Sequence, residues 1–391
     1  MGSLYDALAQ IPDYRDPRGV RYKLADLHFM IICAVLCNHL NAVEMAYYME
    51  ENLENFRKLL GIEAAPSHDT ISRVFIHTDW TYLTKHLAEW ITMNYPSEHI
   101  LRNNMRVLHI DGKAIRSSAN KGDGEKPPYL LNNMWEGETI GIVSLPVNDK
   151  SNEITAIPKL LDFLDIHGAI VTIDAIGMQR EIVARILSKK GHFMIPVKEN
   201  QRTLLESIEA ERNRLIAEKR WDSLPRCVLK KLGHGRIEEY TLTVIRENSF
   251  LLEEFSGDDP FLSIARIGYL EKKTTDKKSG KISFSSVPIA TDLCCIEPET
   301  FLGIRLSHWN IESQHWKLDV QLDEDHQRQR MGNSRSNMSA LRRFVMALAK
   351  DKEHPKWTVP RFMTHCQNDF DGMVGSILKF AKEQKEEGKN G

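Results

Sequence analysis

GAIVTIDAIGMQREIVARIL, residues 168–187, is the stretch whose reading decides the fold. Residues 169–173 form an apolar run of strand length closed by Asp174, and a helical stretch follows over 179–190. Similar units lie on either side. Upstream, 105–110 is a short apolar run ending in Asp111, 139–147 is another, and 154–164 reads as a strand end leading into a helix. Downstream come a strand over 192–197 and a long charged helix over about 201–220. Strands alternating with helices predict an α/β core with at least some parallel pairing.

Residues 225–292 break that rhythm. Apolar residues cluster or alternate in strand-length runs at 236–245, 261–270 and 281–289, and DKKSG at 276–280 is a hairpin-type turn, so a β-rich insertion is expected. After Pro298 the pattern is helical again, through Glu312 to about Lys350. The first hundred residues also read as helical. Residues 24–49 place apolar side chains at spacings of 3 and 4, and PSHDTI at 66–71 looks like a capped helix start. That helix, after one over 53–60, makes a helix-turn-helix unit or a purely structural helical cap. The expected division is a helical domain (1–100), the first part of the core (101–224), the β-rich insertion (225–295), a catalytic helix with basic helices (296–355) and a C-terminal extension (356–391) ending in a charged, disordered tail.

Composition narrows the class. With 391 residues, 42% hydrophobic and 27% charged, the chain has the make-up of an ordinary globular protein. Its six cysteines form no CxxC pair, so neither a zinc ribbon nor a disulfide framework is expected, and a reducing cytoplasm fits. The apolar run at 29–37 is far shorter than the ~20 residues of a membrane span. A net charge of −2 gives no overall signal for nucleic acid. Locally, however, residues 326–350 carry Arg328, Arg330, Arg335, Arg342, Arg343 and Lys350 with no acid, either a solvated helix face or a phosphate-binding stripe.

Asp111 and Asp174 each close a strand-like run, where ligands bind in open α/β sheets. Either aspartate alone is equally a turn former or a helix cap. Between 302 and 320, Arg305, His308, Glu312, His315 and Asp319 recur at spacings of 3, 4, 3 and 4, which puts them on one helix face. Trp309 and Trp316 flank that stripe and are expected to pack the helix on the core. Three carboxylates from two strand ends and a helix suit a two-metal site, because magnesium takes one or two carboxylates per ion and completes its shell with water and phosphate oxygen. No P-loop, GxSxG, HExxH or supported GxGxxG occurs. His308, Glu312 and His315 are also reachable as a mononuclear site of a small-substrate hydrolase.

Six ordered segments, HIDGKAIRSS (from His109), DKSNEITAIPKLL (from Asp149), GAIVTIDAIGMQREIVARIL (from Gly168), GHFMIPVKENQ (from Gly191), GHGRIE (from Gly233) and SHWNIESQHWKLDVQLDEDHQRQR (from Ser307), closely resemble the insertion-sequence DDE transposases that include the H-repeat-associated proteins. IPDYRDPRG at 11–19 and PSHDTISRVF at 66–75 resemble the domain that precedes the catalytic domain there. The resemblance implies an RNase H-like core with a β insertion, and Asp111, Asp174 and Glu312 as ligands of two Mg2+ ions, with Mn2+ as a substitute. It implies nicking at terminal inverted repeats and strand transfer into target DNA. A homodimer on paired ends, in the cytoplasm and on the nucleoid, follows as an expectation. A domesticated copy that binds DNA without cutting it is the alternative. Lys113, Arg116, Lys198, Asn200, Gln201, Arg328, Arg330, Arg342 and Arg343 are the expected DNA contacts, and His308, His315 and Asp319 the supporting residues. Related enzymes that make hairpin ends carry Tyr, Arg, Glu and Lys where this chain has Arg305, His308, Glu312 and Asp319, so hairpin chemistry is not implied.

Overall fold

The computed structural model describes residues 3–95, 100–115, 129–147, 153–233, 235–350 and 356–378. The first part is helical: α1 (Leu4–Leu8), α2 (Leu24–Leu36), α3 (Ala42–Glu51), α4 (Leu53–Leu60), α5 (His68–His77) and α6 (Trp80–Asn94). Asn41, Ser67 and Asp79 start α3, α5 and α6 by accepting from the backbone N–H of Glu44, Thr70 and Thr81. All of α2 is buried, as a helix apolar on every side must be, and it is the centre of the bundle.

The sheet follows. Its strands are β1 (Leu101–Arg102), β2 (Met105–Ala114), β3 (Tyr129–Trp135), β4 (Leu145–Val147), β5 (Ile170–Ile173), β6 (His192–Pro196), β7 (Arg226–Gly233), β8 (Arg236–Ile245), β9 (Arg266–Asp276) and β10 (Ile282–Thr291). Helices α7 (Glu153–Phe163), α8 (Arg180–Ser188) and α9 (Arg202–Ala217) connect them. The strand order is β4-β3-β2-β5-β6-β10-β9-β8-β7, with β1 paired to β2. Strands β2, β5 and β6 run parallel, and the other pairs are antiparallel. The last helices are α10 (Pro298–Ser307), α11 (Asn310–Gln321), α12 (Ser334–Leu348), α13 (Val359–Asn368) and α14 (Phe370–Leu378).

Alternation along the central strands sorts their side chains onto two faces. Leu108, Ile110, Val171, Ile173, Phe193 and Ile195 pack with Leu160 of α7, Ile182 of α8 and Ile208 of α9. Val107, Ile170 and Met194 pack with Phe301, Leu302 and Ile304 of α10. Asp111 shares the parity of Val107, so it faces the side on which α10 and α11 lie.

Several boundaries differ from the sequence reading. Asp111 was expected at a strand end, yet β2 continues through Gly112, Lys113 and Ala114. Parallel pairing with β5 stops at Ile110↔Ile173, while antiparallel pairing with β3 carries on to Ala114↔Tyr129. The expected strand end at 154 is already helix, and β3 and β7 were not foreseen. Strands β7 to β10 are not a separate β unit: β10 pairs with β6, so they extend the same sheet. The single helix expected to carry the stripe over 302–320 is interrupted at His308–Trp309. The first and last described helices also meet, for α11 to α14 contribute Leu318, Leu341, Phe362 and Met373 to the hydrophobic core of α1 to α6.

Candidate active site

Asp111 Oδ2 lies 3.6 Å from His315 Nδ1, and Asp174 Oδ1 lies 3.5 Å from His308 Nε2. The break at His308–Trp309 does not scatter the polar stripe, since α10 supplies Arg305 and α11 supplies Glu312, His315 and Asp319 to the same region. Each histidine is also tied to a strand. His315 Nε2 is 3.2 Å from Asn132 Nδ2 on β3, and His308 Nδ1 is 2.8 Å from Thr172 Oγ1 on β5, which in turn meets His109 Nδ1 at 2.7 Å. Burial and neighbouring positive charge push His315 and His109 down to about 3, so both rings are neutral.

The carboxylates act on one another. Burial first, then the charge of Asp174, with smaller contributions from Glu153 and Glu312 and against the opposing Gly112 N–H, pushes Asp111 up to about 7. Asp174 is held below its ordinary value by its bond to His308, which outweighs its burial, and then by the charges of His308, Arg305 and Lys198. Arg305 is itself lowered by burial, with Asp174 and Glu312 as its counter-charges. Glu312 is exposed and lines an open cleft of about 490 Å3 together with Glu238, Tyr240, Lys272, Trp309, Ser313 and Trp316. Trp309 packs as expected, under Lys272 and Arg305, whereas Trp316 is 57% exposed in the cleft. Among the described residues, no three His, Cys, Asp or Glu side chains converge closely enough to hold a metal ion ready-made. Neither the mononuclear trio of His308, Glu312 and His315 nor the trio of Asp111, Asp174 and Glu312 is therefore drawn together in advance.

Behind the carboxylates lies a buried ionic cluster. Lys113, buried on β2, pairs with Asp319 and donates to Glu324 at 2.7 Å. Glu324 also accepts from Arg343 Nη1 and from Ser339 Oγ, each at 2.7 Å. Three expected DNA contacts are corrected here. Lys113, Arg342 and Arg343 are 7%, 2% and 0% exposed, and Arg342 is spent on Leu322 O and Gln327 Oε1. Groups so enclosed have no surface to offer a phosphate. Asp319, one of the expected supporting residues, pairs with Lys113.

Lys198, Arg328 and Arg330 are exposed. Asn200 Nδ2 donates to Ala175 O at 2.8 Å, and Gln201 Nε2 to Gln179 Oε1 at 2.9 Å, so these two amides brace the loop that follows Asp174. Arg116 lies outside the described residues, as do His234 and the expected tail. Sequence reasoning missed Glu153, Asn132, Thr172 and Glu324. Glu153 is buried at the start of α7 and accepts from Tyr129 Oη at 3.3 Å. Its motif was in view, but a lone glutamate opening a helix carries no sign of burial.

Comparison with known proteins decides the family. A family model described as "Transposase DDE domain" matches residues 102–348, and one described as "DDE_Tnp_1-associated" matches residues 5–91. The chain belongs to the DDE transposase family. Among its relatives, "Putative transposase YncI" of Escherichia coli O157:H7 is 30% identical over 364 residues, spanning 92% of this chain and 90% of that protein. "H repeat-associated putative transposase YhhI" of Escherichia coli K12 is 28% identical, over 89% of this chain and 91% of the relative. An uncharacterized protein from the dhlA 3' region of Xanthobacter autotrophicus is 30% identical over 62% of this chain and 81% of its own length. The two family matches meet near the α6–β1 junction, and both extend across elements that share one core here. Among the described residues, no helix of this transposase-family chain is long and apolar enough to cross a membrane.

Proposed function

We propose that this chain is an active DNA transposase in which Asp111, Asp174 and Glu312 hold two divalent cations, Mg2+ with Mn2+ as a substitute. It nicks DNA at terminal inverted repeats and joins the freed ends to target DNA. The observation that carries the reading is the shared field of these carboxylates, in which Asp111 is pushed up to about 7 by burial and by Asp174, Glu153 and Glu312. A site that crowds negative charge in this way is stabilised by cations.

The strand order β4-β3-β2-β5-β6, with α7 and α8 as connections, supports reading this half of the sheet as an RNase H-like core. The donor chemistry fits Mg2+, which prefers oxygen ligands and leaves shell positions for water and substrate phosphate. Bound cations supply Lewis acidity to an in-line phosphoryl displacement. The protein's own contribution is placement. His315 and His308 flank the two aspartates, and Arg305 and Lys198 bring positive charge beside Asp174. Exposed Lys198, Arg328 and Arg330 are the phosphate contacts, joined by Arg116. Asn200 and Gln201 hold the loop after Asp174 and, being accessible, also stand among the proposed DNA contacts. We infer a homodimer on paired ends, working in the cytoplasm on nucleoid DNA.

The test is cleavage of a duplex carrying the element's own terminal repeats in Mg2+. Strand-specific nicks at the repeat boundary are the expected result. Binding without any nick would leave the chain a DNA-binding protein that has lost catalysis.

A further inference from the structure

Asn132 stands opposite Asp111 in the β2–β3 ladder and is fully buried. Arg343, also fully buried, donates from Nη2 to Asn132 Oδ1 at 2.7 Å. A guanidinium has donors only, so the amide atom facing it is the oxygen. Leu130 O fixes the same orientation from the other side, because a carbonyl accepts and it lies 3.2 Å from Asn132 Nδ2. The second hydrogen of that nitrogen is directed at His315 Nε2, 3.2 Å away. A donor facing a ring nitrogen requires a lone pair there, so the His315 proton sits on Nδ1. Nδ1 is the nitrogen that faces Asp111 Oδ2.

The Asp174 side differs. The strand contact of His308 is the hydroxyl of Thr172, which donates or accepts with equal ease, so only Asp174 itself, facing Nε2, asks for a proton there. On the Asp111 side the polarity is fixed from the strand contact inward, by the Leu130 carbonyl together with an arginine on α12, within the helical part of the molecule.

We propose that Arg343 is a positioning residue for Asp111: through the Asn132 amide it holds His315 as the Nδ1–H tautomer, with that N–H aimed at Asp111 Oδ2. The inference rests on Asp111 being a cation ligand. At 3.6 Å this N–H is beyond hydrogen-bond length, so it acts through its dipole, favouring Oδ2 on its own side and leaving the other oxygen for the cation. The opposite tautomer would present a lone pair to the carboxylate and turn it away. Packing of α12 thereby sets the orientation of a carboxylate on β2.

The full-length protein labelled with 15N-histidine tests this by long-range 15N–1H correlation, with the His315 signals assigned by their loss in His315→Gln. Wild type is expected to show a protonated Nδ1 and an unprotonated Nε2. Asn132→Asp replaces the donor by an acceptor, so the proton is expected to move to Nε2 and Mn2+ affinity to fall about 10- to 100-fold in an EPR titration. Arg343→Lys, which keeps a donor for Asn132 Oδ1, is expected to retain the wild-type tautomer, and Arg343→Met, in which Leu130 O alone orients the amide, to show a mixture of the two tautomers. A protonated Nε2 in wild type, or an unmoved proton in Asn132→Asp, would overturn the relay. A flipped tautomer with unchanged Mn2+ affinity would overturn the positioning role. Wild type with the expected tautomer but no Mn2+ binding, with or without DNA, would sink the metal reading beneath the proposal, and the spectrum separates that case from a failed relay. If Arg343→Met does not fold, the wild-type and Asn132→Asp spectra still decide the matter.

Discussion

Glu324→Gln is the substitution to which the fold should be most sensitive. The side chain is completely buried and accepts from Lys113 Nζ, Arg343 Nη1 and Ser339 Oγ, each at 2.7 Å. Burial alone would raise its carboxyl, but the charges of Arg343, Lys113 and Arg342 overcome that and hold it well below the ordinary range. Glutamine keeps the shape and one acceptor while removing the negative charge. Three buried cations, Lys113, Arg342 and Arg343, then remain, with the partly exposed Asp319 paired to Lys113. Breaking a buried ion pair from one side costs about 3–5 kcal/mol, against a typical total stability of roughly 5–15 kcal/mol. The expected outcome at pH 7 is a loss of that size in urea unfolding followed by tryptophan fluorescence. Asp162→Asn, which breaks the exposed Arg185–Asp162 pair, serves as the control and should leave the midpoint where it was. A loss below about 1 kcal/mol for Glu324→Gln would show that the cluster does not bear on stability and refute the reasoning. The sign with pH follows from the depressed carboxyl: the stabilisation is complete above the unfolded-state pKa and disappears only as pH falls through the lower folded-state value.

Other expectations are separable from that one. Arg328→Ala with Arg330→Ala should reduce the slope of log K against log salt for duplex binding by about 2, whereas Arg342→Met should leave it unchanged; fluorescence anisotropy across a salt series reads both. His28 is fully buried and lowered to about 4, first by burial and then by the charge of Arg15. Unfolding releases it to ionise near pH 6.5, so stability should fall between pH 6.5 and 4 by about 3 kcal/mol from this group, and His28→Leu should remove that part of the acid slope. At Gly112 a Cβ would overlap the Tyr129 ring, so Gly112→Ala should cost about 1–3 kcal/mol in thermal or chemical unfolding. An unchanged midpoint would mean that the ring has room to move.

The parallel centre of the sheet was legible because β2, β5 and β6 are apolar runs closed by polar residues, and a buried parallel strand has little alternative composition. The end of β2 was not. Gly112, Lys113 and Ala114 look like the start of a loop, and only pairing with β3, itself hidden in the polar-looking YLLNNMW, makes them strand. Asn132 and Asn133 are buried there, against the usual expectation for asparagine, because Arg343 and Val143 O satisfy them. The site showed the same division. Helical spacing placed Arg305, His308, Glu312, His315 and Asp319 together, and the structure keeps them on the region that faces Asp111 and Asp174 despite the break at His308–Trp309. The basic run misled for a physical reason. Arg342 and Arg343 read as solvated or phosphate-facing, and the acid that buries Arg343, Glu324, sits in the run Asp323-Glu324-Asp325, where nothing in the sequence marks one of three acids as internal.

One measurement bears most directly on the claim that Asp111, Asp174 and Glu312 form the reacting site: Mg2+-dependent cleavage of terminal-repeat DNA by the parent and by Asp111→Ala, Asp174→Ala and Glu312→Ala. Folding is checked by circular dichroism and DNA affinity is measured in parallel. Each variant should bind DNA within about threefold of the parent and cut it at least about 1000-fold more slowly, on the order of 4 kcal/mol of lost transition-state stabilisation. A folded variant that cuts as fast as the parent would contradict the assignment of that carboxylate, and with it the three-carboxylate site.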